Sequence, residues 1–134
     1  LALSESLAHF SRFKNNAKAQ VLADTLDRAT GKLMENKKSP GRKVGELDNA
    51  GTHIYEALYW AKELAAQDDD AELKAKFGPV AEQLETKLDT IFDEMNATNG
   101  QAMDIGGYYR TDPEKVAKAM RRSTTFNAIL DSLN

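Results

Sequence analysis

Seven apolar residues between Leu73 and Met95 keep a strict spacing. Leu73, Phe77, Val80, Leu84, Leu88, Ile91 and Met95 follow one another at intervals of 4, 3, 4, 4, 3 and 4 residues. Helical side chains three and four apart share a face, so the spacing predicts a long helical element over 70–97. So narrow a stripe is the seam of an antiparallel bundle or coiled-coil-like packing, and it must bury itself against other helices. Gly78-Pro79 interrupts the run. Proline lacks the backbone donor and crowds the preceding turn, so a kink or a restart is expected there. Asn99-Gly100 stops the element.

Partners for the seam lie on both sides of it. Residues 2–13 read as a first helix with Leu3, Leu7 and Phe10 as its apolar stripe, and Asn15-Asn16 punctuates the chain. Residues 17–36 read as a second helix whose core face is Leu22, Leu26, Ala29 and Leu33. Asp24 and Arg28, four apart, are expected to pair on its exposed side. Residues 50–67 read as a third helix, with Ile54, Leu58, Ala61 and Ala65 inward and Asp48 or Asn49 as N-cap. Asp68-Asp69-Asp70 reads as capping and solvation, because the spaced oxygen ligands and central glycine of a calcium loop are missing. Residues 101–111, Q-A-M-D-I-G-G-Y-Y-R-T, suggest a short extended segment, either a strand or a tight crossing over a helix. Asp112-Pro113 opens a further helix, and 123–133 forms a short apolar one. The fold class is mainly α, with five or six helices arranged up and down.

One interhelical connection is unusual. Asn36 to His53, N-K-K-S-P-G-R-K-V-G-E-L-D-N-A-G-T-H, carries Lys37, Lys38, Arg42 and Lys43 together with three glycines. A Pro-Gly pair cannot continue a helix cheaply, so Ser39-Pro40-Gly41 is a turn or loop. Basic residues among glycines suit an anion that approaches the backbone closely. The plainer reading is a solvated loop, with Lys37 and Lys38 complementing the helix dipole. A guanidinium at Arg42 can grip a phosphate through two parallel hydrogen bonds. His53, in the next helix's first turn, could add a hydrogen bond or serve structure.

Composition sets outer bounds. The chain has 134 residues and a formal charge of −3, which argues against a general nucleic-acid binder. There is no cysteine, so disulfide and thiol chemistry are out, as fits a cytoplasmic protein. No apolar run approaches the roughly 18 residues of a membrane span. The opening, Leu-Ala-Leu-Ser-Glu-Ser-Leu, is already helical in pattern and lacks a signal-peptide layout, which raises the expectation of a piece of something larger. The 21 carboxylates fall at charge-pair spacing on helix surfaces, and none forms a defensible acid–base pair.

Several stretches resemble a known family. They are L-A-D-T-L-D-R-A-T-G-K at Leu22–Lys32, N-K-K-S-P-G-R-K-V-G-E-L-D-N at Asn36–Asn49, A-L-Y-W-A at Ala57–Ala61, D-I-G-G-Y-Y at Asp104–Tyr109 and S-T-T-F-N at Ser123–Asn127. In this order they are similar to the C-terminal portion of monomeric-type NADP-dependent isocitrate dehydrogenase. The resemblance implies a single helical region, 1–134, of a larger α/β enzyme that is itself monomeric. That enzyme would convert isocitrate and NADP to 2-oxoglutarate, CO2 and NADPH with Mg or Mn. It also implies that Arg42 holds the adenosine 2′-phosphate, with Lys43 a weaker neighbour. Substrate and metal ligands would lie outside this chain, leaving no catalytic residue in it. Ala50, where the family often has arginine, and Arg122, where proline often stands, depart from the pattern. The alternative is a stand-alone helical interaction module. On either view no membrane or nucleic-acid partner is expected, and a detached piece is expected to self-associate through uncovered apolar surface.

Overall fold

The computed structural model describes residues 1–133. Among them are seven helices and no strand: α1 Ala2–Lys14, α2 Ala17–Glu35, α3 Asn49–Ala66, α4 Ala71–Thr86, α5 Leu88–Asn96, α6 Pro113–Met120 and α7 Thr124–Asp131. Local chemistry starts and stops them. Asn16, Asp48, Asp70, Asp112 and Ser123 each accept a hydrogen bond from an otherwise orphaned N–H in the first turn that follows. Pro113 stands at the start of α6, where a missing donor costs nothing. Asn15, left-handed at φ 49°, closes α1 while Asn16 opens α2.

The first four helices pack each on the next, and α7 returns to cover α4 and α5. The main core takes Ile54, Leu58 and Ala61 from α3, Val80 and Leu84 from α4, Ile91 and Met95 from α5, and Ile129 from α7. Every member of the Leu73–Met95 seam is buried or half-buried, as the spacing predicts. Each apolar side chain buried in this way contributes roughly 1.5–3 kcal/mol.

The α2–α3 contact is partly polar. Trp60 Nε1 donates to Thr25 Oγ1 at 3.0 Å, and Thr30 Oγ1 donates to Glu56 at 2.7 Å, pairs that order the two helices antiparallel. Glu63 is buried and accepts from Arg28 Nε at 2.7 Å and from Lys32. Burial pushes the Glu63 carboxyl up, but the two cations outweigh it and hold it below its ordinary range. Arg28 therefore pairs across the helix interface rather than with Asp24, which accepts from Gln20 instead. A buried carboxylate needs a cation far more than an exposed one does.

Three further expectations are revised. Helix α4 runs through Pro79, and the restart falls at Lys87. Pro79 and Ala75, whose carbonyl loses its donor, both lie exposed, so water can satisfy that carbonyl. The break comes where Thr86 Oγ1 bonds back to the Glu82 carbonyl at 2.8 Å and competes with the backbone ladder. Helix α1 turns most of its predicted stripe outward: Leu3 and Phe10 are exposed and Leu7 is half-buried, while Ser4 and Ser11 are buried. Segment 101–111 forms no strand. Gly106 and Gly107, at φ 83° and 148°, turn it back, so that the Asp112 N–H donates to the Ile105 carbonyl at 2.8 Å. Asp104 ties the turn to α6 through Lys115.

Candidate functional site

The basic connection from α2 to α3 is a built loop. It leaves α2 through paired hydrogen bonds, Lys37 N–H to Met34 O and Lys38 N–H to Leu33 O, with Lys37 left-handed at φ 55°. Thr52 Oγ1 of α3 donates to the Lys38 carbonyl at 2.9 Å, and the Lys38 ammonium lies over the Tyr55 ring. The Gly41 N–H donates to Leu47 O at 2.7 Å and closes the loop across its neck. Inside, one Glu46 carboxylate oxygen accepts from the N–H groups of Arg42 and Lys43 at 2.9 and 3.1 Å.

The exit is clamped as well. One Asp48 oxygen caps α3 through the Gly51 N–H at 2.7 Å, and the other accepts from Arg122 Nη2 at 2.8 Å. Arg122 also donates to the Met95 carbonyl at 3.2 Å, so the loop, α5 and the α6–α7 connection meet at one side chain. Partial burial raises the Asp48 carboxyl, yet Arg122 and the Gly51 N–H hold it below the usual carboxylate range. Gly51 has no room for a side chain, because a Cβ there would lie 2.7 Å from Leu47 and 2.9 Å from Phe92.

Within this frame the Arg42 and Lys43 side chains make no hydrogen bond or ion pair among the described residues, and both are exposed. All guanidinium donors of Arg42 are therefore free of partners among the described residues. His53 is committed differently. Its Nδ1 lies 2.7 Å from the Asn49 carbonyl, which makes Nδ1 the donor and leaves Nε2 an acceptor in the neutral ring. His53 lines a separate cleft of about 380 Å³ with Ile54, Arg121, Arg122 and Phe126. The structural role is the one this geometry supports for it.

The acidic triplet follows its expected role: Asp70 caps α4, and Asp68 pairs with Lys74 at 2.6 Å. Among the described residues, no three His, Cys, Asp or Glu side chains converge as metal ligands would. No helix among them is long and apolar enough to cross a membrane.

The family described as monomeric isocitrate dehydrogenase matches residues 1–131. The chain belongs to that family. Isocitrate dehydrogenase [NADP] 2 of Psychrobacter sp. (strain 13A) is 54% identical over 134 residues, covering 100% of this chain and 18% of that protein. Isocitrate dehydrogenase [NADP] of Azotobacter vinelandii is 51% identical over 133 residues, covering 99% of this chain and 18% of its own length. Isocitrate dehydrogenase [NADP] 2 of Mycobacterium tuberculosis is 45% identical over the same extent. The chain thus spans about a fifth of the length of these relatives.

Set against the family pattern, the two departures meet in space: Ala50 and Arg122 both line the His53 cleft. Sequence reasoning singled out the loop of Arg42 but not the contacts that hold it. Glu46 stood four positions after Arg42 inside the quoted motif, and that spacing was its only signal. Arg122 to Asp48 spans 74 positions, and nothing local announces it.

Proposed function

We propose that this chain is the C-terminal region of a cytoplasmic NADP-dependent isocitrate dehydrogenase, and that it contributes the grip on the adenosine 2′-phosphate. The observation that carries this is Arg42, whose unpaired guanidinium stands on a loop with both ends anchored, inside a chain of this family. A guanidinium meets phosphate oxygens in a planar fork, and arginine is the general choice where a 2′-phosphate must be told from a 2′-hydroxyl. Lys43 adds a neighbouring positive charge. When bound, NADP supplies the hydride acceptor for isocitrate oxidation. This chain's residues bind and orient its adenosine end. In this reading metal and substrate ligands come from the rest of a monomeric polypeptide of the relatives' length. The chain alone is inactive on this view.

Arg42→Ala in the full-length enzyme is expected to raise the KM for NADP far more than that for isocitrate. Loss of a charged pair to phosphate costs on the order of 1.5–3 kcal/mol. Steady-state kinetics with each substrate varied in turn checks this, and an unchanged KM for NADP would remove Arg42 from the site.

A further inference from the structure

We infer that Glu46 is a positioning residue for nucleotide binding, holding the loop in the shape that presents Arg42. The inference rests on the reading of Arg42 as the 2′-phosphate residue. Two consecutive N–H groups, of Arg42 and Lys43, converge on one Glu46 oxygen. That is the nest a bound anion would otherwise occupy. Here a carboxylate of the loop itself fills it, so the backbone donors are satisfied from within and the Arg42 side chain is what faces outward. The Glu46 N–H also donates to the Lys43 carbonyl at 3.1 Å, closing a tight turn around the same residues.

Gly41 makes the arrangement possible. A Cβ at Gly41 would lie 2.3 Å from the Glu46 carboxylate oxygen and 2.7 Å from the Glu46 Cβ. Carboxylate and glycine therefore occupy each other's space, and the Gly41–Leu47 hydrogen bond holds them there. With the loop ordered before the nucleotide arrives, binding does not have to supply that order. The carboxylate also repels a phosphate, so preorganisation and repulsion oppose one another, and substitutions separate them.

The experiment compares Glu46→Ala, Glu46→Gln, Gly41→Ala and Arg42→Ala in the full-length enzyme. It measures kcat, both KM values and amide hydrogen exchange of the ligand-free protein. Glu46→Ala is expected to raise the KM for NADP roughly tenfold while kcat and the KM for isocitrate stay within about twofold. Glu46→Gln keeps an acceptor and should recover most of that loss. Gly41→Ala should resemble Glu46→Ala, because its methyl displaces the carboxylate. The amides of Arg42 and Lys43 should exchange faster in Glu46→Ala. If Arg42→Ala weakens NADP but Glu46→Ala leaves its KM unchanged or lowers it, the positioning role is overturned. Unchanged amide protection in Glu46→Ala overturns it too. If Arg42→Ala leaves NADP binding intact, the site itself is wrong and this inference falls with it.

Discussion

Lys37 leaves α2 with φ 55°, a conformation in which an L side chain crowds its own backbone. The two hydrogen bonds that end the helix require it. Lys37→Gly should therefore raise the stability of the chain by roughly 1 kcal/mol, read as a shift in the urea midpoint with an unchanged slope. A lower midpoint would mean that the lysine side chain contributes more than its backbone strain costs. Glu63 shows the opposite situation, a side chain whose conformation is ordinary and whose charge is the problem. It is buried, so it draws Arg28 and Lys32 from the neighbouring helix. The periodic spacing marked Asp24–Arg28 as a pair, but spacing along one helix cannot show which carboxylate a second helix will bury. The basic loop that carries Arg42 was legible for the converse reason: its signal is local, a Pro-Gly turn just before a helix start.

Helix α7 shows how a short element is held. It buries Ile129 in the main core and sets its N-terminus against Glu94 of α5. The Glu94 carboxylate accepts from the hydroxyls of Ser123, Thr124 and Thr125 and from the Thr125 N–H. The Ser123 hydrogen bond first, then the Thr125 N–H and hydroxyl, lower its pKa from 4.5 to about 2. A folded-state pKa below the unfolded one means stability that is complete above the unfolded value and lost as pH falls toward the folded one. The α5–α7 joint should therefore loosen between about pH 4.5 and 2. Glu94→Gln should flatten that part of the acid unfolding curve, followed by circular dichroism. An equally steep acid curve in the variant would assign the transition to other carboxylates. The seam of α4 and α5 was legible because a repeat of three and four survives a change of helix. The break at Lys87 was not, since Pro79 is the stronger local signal and only its exposed setting lets the helix pass through it.

At the scale of the molecule, exposed large apolar residues occur on and beside α1 and on the 101–111 turn, as well as singly at Val44 and Met120. Leu1, Phe13, Tyr108 and Tyr109 are 67%, 73%, 89% and 95% exposed. Apolar surface of this kind on a chain spanning about a fifth of its relatives' length is expected to self-associate when the chain is isolated. Sedimentation across a concentration series should show mass rising with concentration, and Leu3→Glu with Phe10→Glu should suppress the rise. A monomer at all concentrations would remove that expectation. By itself the sequence determined most of the helices, the caps at Asp48, Asp70 and Asp112, the seam and the basic loop between α2 and α3, because each depends on neighbours within a few positions. Only the tertiary structure decided which face of α1 is buried, which cations Glu63 takes, and that Arg122 clamps Asp48 from 74 positions away. Those outcomes depend on which surfaces are desolvated together, and desolvation belongs to the packed helices, not to any stretch of chain.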